Sequence, residues 1–132
     1  MFLFHTLRSF KAALSVVLIT CVPQLAVGDQ PPPIDRMGRQ WQESESGWQG
    51  VWIRRGNSNI FDARWGSGSR SITAEMAISI SGNQVTIKRS NSSDGNDCNY
   101  SGTIVNDGVT VEGTYTCTLH PGPFPWSASI QQ

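Results

Sequence analysis

From residue 47 onward, apolar and polar side chains alternate in short runs, separated by clusters of Gly, Asn, Ser and Asp. A two-residue period marks strands with one dry and one wet face, and no segment holds a helical period over three turns. The pattern predicts seven strands, at about 48–55, 59–65, 72–81, 84–90, 98–106, 109–118 and 125–131. The third is the clearest. In "SITAEMAISIS", Ile72, Ala74, Met76, Ile78 and Ile80 share one face, while Thr73, Glu75, Ala77, Ser79 and Ser81 share the other.

Two tight turns set the register. Gly82-Asn83 suits a two-residue turn with glycine first, because glycine accepts a positive φ without steric cost. Ile80 then meets Val85, Ile78 meets Ile87 and Met76 meets Arg89. With Asp107-Gly108 as a second two-residue turn, Ile104 meets Val111, Tyr100 meets Tyr115 and Cys98 meets Cys117. A three-residue Asn-Asp-Gly turn with a bulge is equally compatible with turn chemistry. It would set the apolar faces against each other, which a half-buried sheet resists. Counted from a two-residue turn, the cysteines fall on a hydrogen-bonded pair, where Cα atoms lie farther apart; a bulge in 92–97 would correct this.

Every connection has hairpin length. The expected fold is all-β: an antiparallel up-and-down meander of about seven strands closing into a small barrel, with one disulfide. Short linkers (56–58, 82–83, 107–108) tie off one end, and longer loops (66–71, 90–97, 119–124) leave the other open. Trp52, Phe61, Ile80, Val85, Ile104, Val109 and Ile130 are expected inside, near the closed end. Trp48, Trp65, Arg89, Tyr100, Tyr115 and Trp126 gather toward the open end as an aromatic collar with one arginine. Two readings of the collar stand: a site for a small apolar or planar ligand, or a plug of a barrel too small to hold one.

The segment before this domain differs. Residues 29–46, "DQPPPIDRMGRQWQESES", have a triproline, mixed charges and almost no periodicity, so a flexible Pro-rich leader is expected, with Trp41 partly exposed or loosely docked. Residues 1–28 carry two basic residues, Arg8 and Lys11, then an apolar run and the small-residue site Ala26-Val27-Gly28. That is a signal peptide cleaved before Asp29, and it directs a secreted or periplasmic protein. An uncleaved anchor is one alternative. Another is a lipoprotein, because "LITC" loosely resembles a bacterial lipoprotein box that would acylate Cys21.

Cleavage changes the composition. Cys21 leaves, and the two remaining cysteines, Cys98 and Cys117, suit one staple in an oxidising compartment. A redox pair would want C-x-x-C and a zinc site four ligands. Ten acidic residues against eight basic ones give the mature chain a formal net charge of −2. Nothing in that balance draws nucleic acid, or a membrane unless Cys21 is acylated.

Chemistry is sparse. His120, in "TLHPGPFP", has no G-x-S-x-G elbow beside it and reads as a loop residue. Asp94, Asn96 and Asp97 are reminiscent of a calcium loop but lack the twelfth-position acid and the flanking helices, so a polar turn is expected. The strand acids Asp62, Glu75 and Glu112 fall on outward faces, which argues against paired-carboxylate hydrolysis. Arg54 shares the face of Trp48, Gly50 and Trp52; it either passes the rim or serves a buried carbonyl or acid. Asn91-Ser92-Ser93 and Asn99-Tyr100-Ser101 are glycosylation sequons, meaningful only if the host modifies such sites. No catalytic residue, metal or cofactor is expected.

Gly50-Val51-Trp52 resembles the G-x-W with which calycin barrels (lipocalins, avidins and relatives) open. The resemblance implies a small barrel whose closed end is plugged by Trp52. The lipocalin-type basic residue of the last strand is absent from "WSASIQQ". "RRGNSNIFDARW", "GTYTC" and "PWSASI" resemble small exported bacterial proteins of unassigned function, and some exported barrels that open with G-x-W are protease inhibitors. The function expected is thus a non-enzymatic binding module for a small apolar or planar ligand. The alternative is a protein-interaction or protease-inhibitor-like module acting on an unknown protein partner through its long loops.

Overall fold

A computed structural model describes residues 35–132; the signal segment, Cys21 and the triproline lie outside the described residues. Eight antiparallel strands form the fold: β1 (Gln40–Glu45), β2 (Trp48–Arg54), β3 (Ile60–Ser67), β4 (Arg70–Ser81), β5 (Gln84–Ser90), β6 (Cys98–Ile104), β7 (Thr110–Cys117) and β8 (Phe124–Gln131). Each pairs with its neighbours in chain order, and β1 pairs with β8 to close the barrel. Closure leaves no free sheet edge to template association.

The additional strand corrects the sequence reading. Gln40–Glu45 falls inside the expected leader, and Trp41 is fully buried rather than loosely docked. Ser46-Gly47 makes the hairpin to β2, with φ of 43° and 82°. Two left-handed residues in succession are what a type I′ turn requires. The strand escaped notice because its inward residues are Trp41, Glu43 and Glu45, so its dry face does not look apolar.

The register at Gly82-Asn83 is as expected, with Ile80 opposite Val85 and Met76 opposite Arg89. At the next hairpin the partners are also as expected, including Cys98 opposite Cys117, but the turn is not. Val105 N–H bonds Thr110 O, closing a four-residue loop whose Asp107 Oδ1 accepts from the N–H of Val109 and Thr110. Lengthening a loop symmetrically keeps the partners and shifts which of them are hydrogen-bonded. Thr118 N–H bonds Asp97 O, so the cysteines occupy the adjacent non-bonded pair, with Cα atoms 4.0 Å apart and a disulfide between them. The four-residue loop also leaves Val109 39% exposed, and Val111 takes the core position. The expected loop at 66–71 is a two-residue turn at Gly68-Ser69.

Aromatic rings fill the interior. Trp41 stacks on Trp52 at 5.7 Å and Trp52 on Trp126 at 6.0 Å, while Tyr100 and Trp126 make a T-shaped contact at 5.3 Å. Trp52 is therefore the hub of the stack. Arg54 belongs to the closed end, where it donates to the carbonyls of Ser58, Asn57 and Gly38 and pairs with Asp35.

Candidate functional site

The open end is built from β1, β3, β5 and β6, which contribute five polar side chains to a buried cluster, two of them from β1. Glu43 and Glu45 point inward from β1, Trp65 from β3, Arg89 from β5 and Tyr100 from β6. Glu43 is 2% exposed and Arg89 4%. Trp65 Nε1 donates to Glu43 Oε2 at 2.7 Å, and Tyr100 Oη donates to Glu45 Oε2 at 2.7 Å. The Arg89 guanidinium lies 4.5 Å from the centre of the Trp65 ring and 3.6 Å from Glu45 Oε1. It also donates to Ser92 Oγ at 2.9 Å and to Asp94 at 3.2 Å.

Burial and a neighbouring negative charge both hold a carboxyl in its neutral form. Burial first, then the negative charge of Glu45, pushes the Glu43 carboxyl up to about 9, against the opposing Trp65 hydrogen bond and the Arg89 charge. Glu43 is thus the neutral acid of the cluster, its Oε1 buried without a hydrogen-bond partner among the described residues, while Glu45 accepts from Tyr100 and pairs with Arg89. Burial and the Glu45 charge also push the Tyr100 hydroxyl far above its ordinary range, so it remains a donor. Gly50 makes room for this arrangement: a Cβ there would lie 2.6 Å from Glu43 Oε2 and 2.7 Å from Trp65 Nε1.

Above the cluster a cavity of about 470 Å³ opens to solvent. Its aromatic wall is Trp48, Trp65, Tyr115 and Phe124, and its polar groups include Glu45, Arg70, Arg89, Asp94 and His120. The structure divides the six collar residues. Trp48, Trp65, Arg89 and Tyr115 reach the cavity; Tyr100 and Trp126 do not, and serve the interior stack instead. Trp126 Nε1 is occupied by the carbonyls of Ser101 and Thr114 at 3.2 and 3.1 Å. Sequence reasoning missed Glu43, Glu45, Arg70 and Phe124. The Ser46-Gly47 dipeptide between two alternating runs was the signal that would have exposed the first two.

The remaining candidates are absorbed locally. Asp94 Oδ1 accepts from Asn96 N–H, Asn96 Oδ1 from Leu119 N–H, and Asp97 O from Thr118, which makes 91–97 a self-satisfied polar loop. Asp62 and Glu75 pair with Arg55 on the outer wall, and Glu112 is exposed. Among the described residues no group of three or more His, Cys, Asp or Glu side chains could hold a metal ion. Compared with family models and with curated proteins, the chain matches none.

Proposed function

We propose that the protein is a non-enzymatic binding module that holds a small apolar or planar ligand at the mouth of its barrel. One observation carries this: Trp48 and Phe124 remain half-buried on the cavity wall, although the interior behind them is already filled by other aromatics. A ring inserted between such surfaces buries apolar area on both faces. The calycin resemblance supports the same reading. The disulfide and the signal-like first 28 residues support a secreted or periplasmic location. Against catalysis stands the use already made of the acids, since Glu43 does not line the cavity and Glu45 is held by Tyr100 and Arg89.

Native mass spectrometry on protein purified from its own source tests the proposal. A small-molecule adduct that vanishes on denaturation is expected, and Trp48→Ala should lose it while keeping the wild-type melting temperature. A bare wild-type chain, or an adduct indifferent to Trp48, would refute it. A second reading, a protein-interaction or inhibitor-like module, draws on Leu119, which is 58% exposed on the loop after β7. A partner cross-linked to the wild type and lost on Leu119→Asp would favour that reading.

A further inference from the structure

We infer that the ligand of the mouth carries an anionic group beside its flat ring, and that Arg70 receives it. This rests on the binding reading above and follows from charge accounting around the cavity. Of the charged groups there, Glu45 and Asp94 both turn to Arg89, and Glu45 also accepts from the Tyr100 hydroxyl. Arg89 itself is used up: its side chain is 4% exposed, and its guanidinium lies over Trp65 and bonds Ser92 and Asp94.

Arg70 is different. It opens β4 at the rim, and its guanidinium lies 5.4 Å from the centre of the Trp48 ring. Among the described residues it makes no ion pair and no side-chain hydrogen bond, although it lines the same cavity as His120. Stacking on an indole holds a guanidinium flat and leaves its N–H edge free for a carboxylate, sulfonate or phosphate. A ring seated against Trp48 and Phe124 therefore places a ring-borne anion beside the one uncommitted cation of the described cavity lining. A cationic ligand would meet Arg70 directly, while both acids of the lining are already engaged by Arg89.

Three probes of one shape test this by quenching of tryptophan fluorescence: naphthalene sulfonate, naphthol and naphthylammonium, each titrated into wild type, Arg70→Gln and Arg70→Lys. The sulfonate should bind the wild type about tenfold more tightly than naphthol, and the ammonium most weakly. Arg70→Gln should bring the sulfonate's affinity down to that of naphthol in the same variant, Arg70→Lys should recover part of the advantage, and added salt should reduce it. Equal binding of sulfonate and naphthol, or tightest binding of the ammonium, would overturn the anion assignment while the flat-ligand site stands. Failure of all three probes to bind would overturn both. Melting temperatures of the variants, expected to match wild type because Arg70 is exposed, separate loss of binding from loss of fold.

Discussion

Replacing Glu43 with glutamine should make the protein more stable at neutral pH and abolish most of its pH dependence there. The unfolded chain releases the Glu43 proton near the ordinary value of 4.5, whereas the folded barrel holds it up to about 9. Between those values the folded state binds one more proton than the unfolded state, so stability falls as pH rises. The slope is about 1.4 kcal/mol per pH unit, or roughly 3 kcal/mol between about pH 5.5 and 7.5. Glu45, Arg89, Trp65, Tyr100 and Tyr115 are the charged and polar groups facing this carboxyl, and both tyrosine hydroxyls are pushed upward, away from this window. The exposed carboxyls of Asp35, Asp62, Glu75 and Asp107 act elsewhere. Hydrogen bonds hold them below their ordinary values, so what they contribute is present above about pH 4 and is lost only in more acid solution. Stability should therefore peak near about pH 5. Glutamine reproduces the neutral acid: its carbonyl can accept from Trp65, and no charged form has to be buried. Urea unfolding followed by tryptophan fluorescence at a series of pH values measures the effect. A wild type whose stability is flat or rising from about pH 5.5 to 7.5, or a Glu43→Gln protein with the wild-type slope, would refute the neutral Glu43 carboxyl.

Three further outcomes are expected. Gly50→Ala drives a Cβ into Glu43 and Trp65 and should cost about 2–3 kcal/mol in urea unfolding. Replacing Cys98 and Cys117 together by alanine opens a cross-link that spans 19 residues of sequence and should cost about 3 kcal/mol, read as a lower urea midpoint. Trp126→Ala removes the end of the indole stack and should cost about 3–5 kcal/mol by thermal unfolding, whereas Trp48→Ala, at the rim, should leave the melting temperature within about 2 °C. Similar losses for the two tryptophans would contradict the division between interior and mouth.

The β4–β5 and β6–β7 hairpins were legible residue by residue, because their inward faces are apolar and their turns carry glycine where a positive φ is needed. The bonding phase at the cysteines was not, since a two-residue and a four-residue loop give the same partners. β1 was not legible either, because Glu43 and Glu45 stand where a strand is expected to show apolar residues. The collar was legible as a group but not in its division, since alternation tells inward from outward and not depth along the barrel axis.

What the sequence determined by itself was local: the period of two, the turn residues, the pairing of Cys98 with Cys117, and the end at which aromatics collect. These depend on each residue and on neighbours a hairpin away. Only the tertiary structure decided that Glu43 and Glu45 are tolerated inside. Their solvation is replaced by Trp65, Arg89 and Tyr100, which come from three other strands and meet them only when β1 closes against β8. The same closure commits Arg89 to the buried acids and leaves Arg70 uncommitted at the rim. A side chain's charge can be read from the sequence, but whether that charge is already matched depends on which strands the barrel brings together.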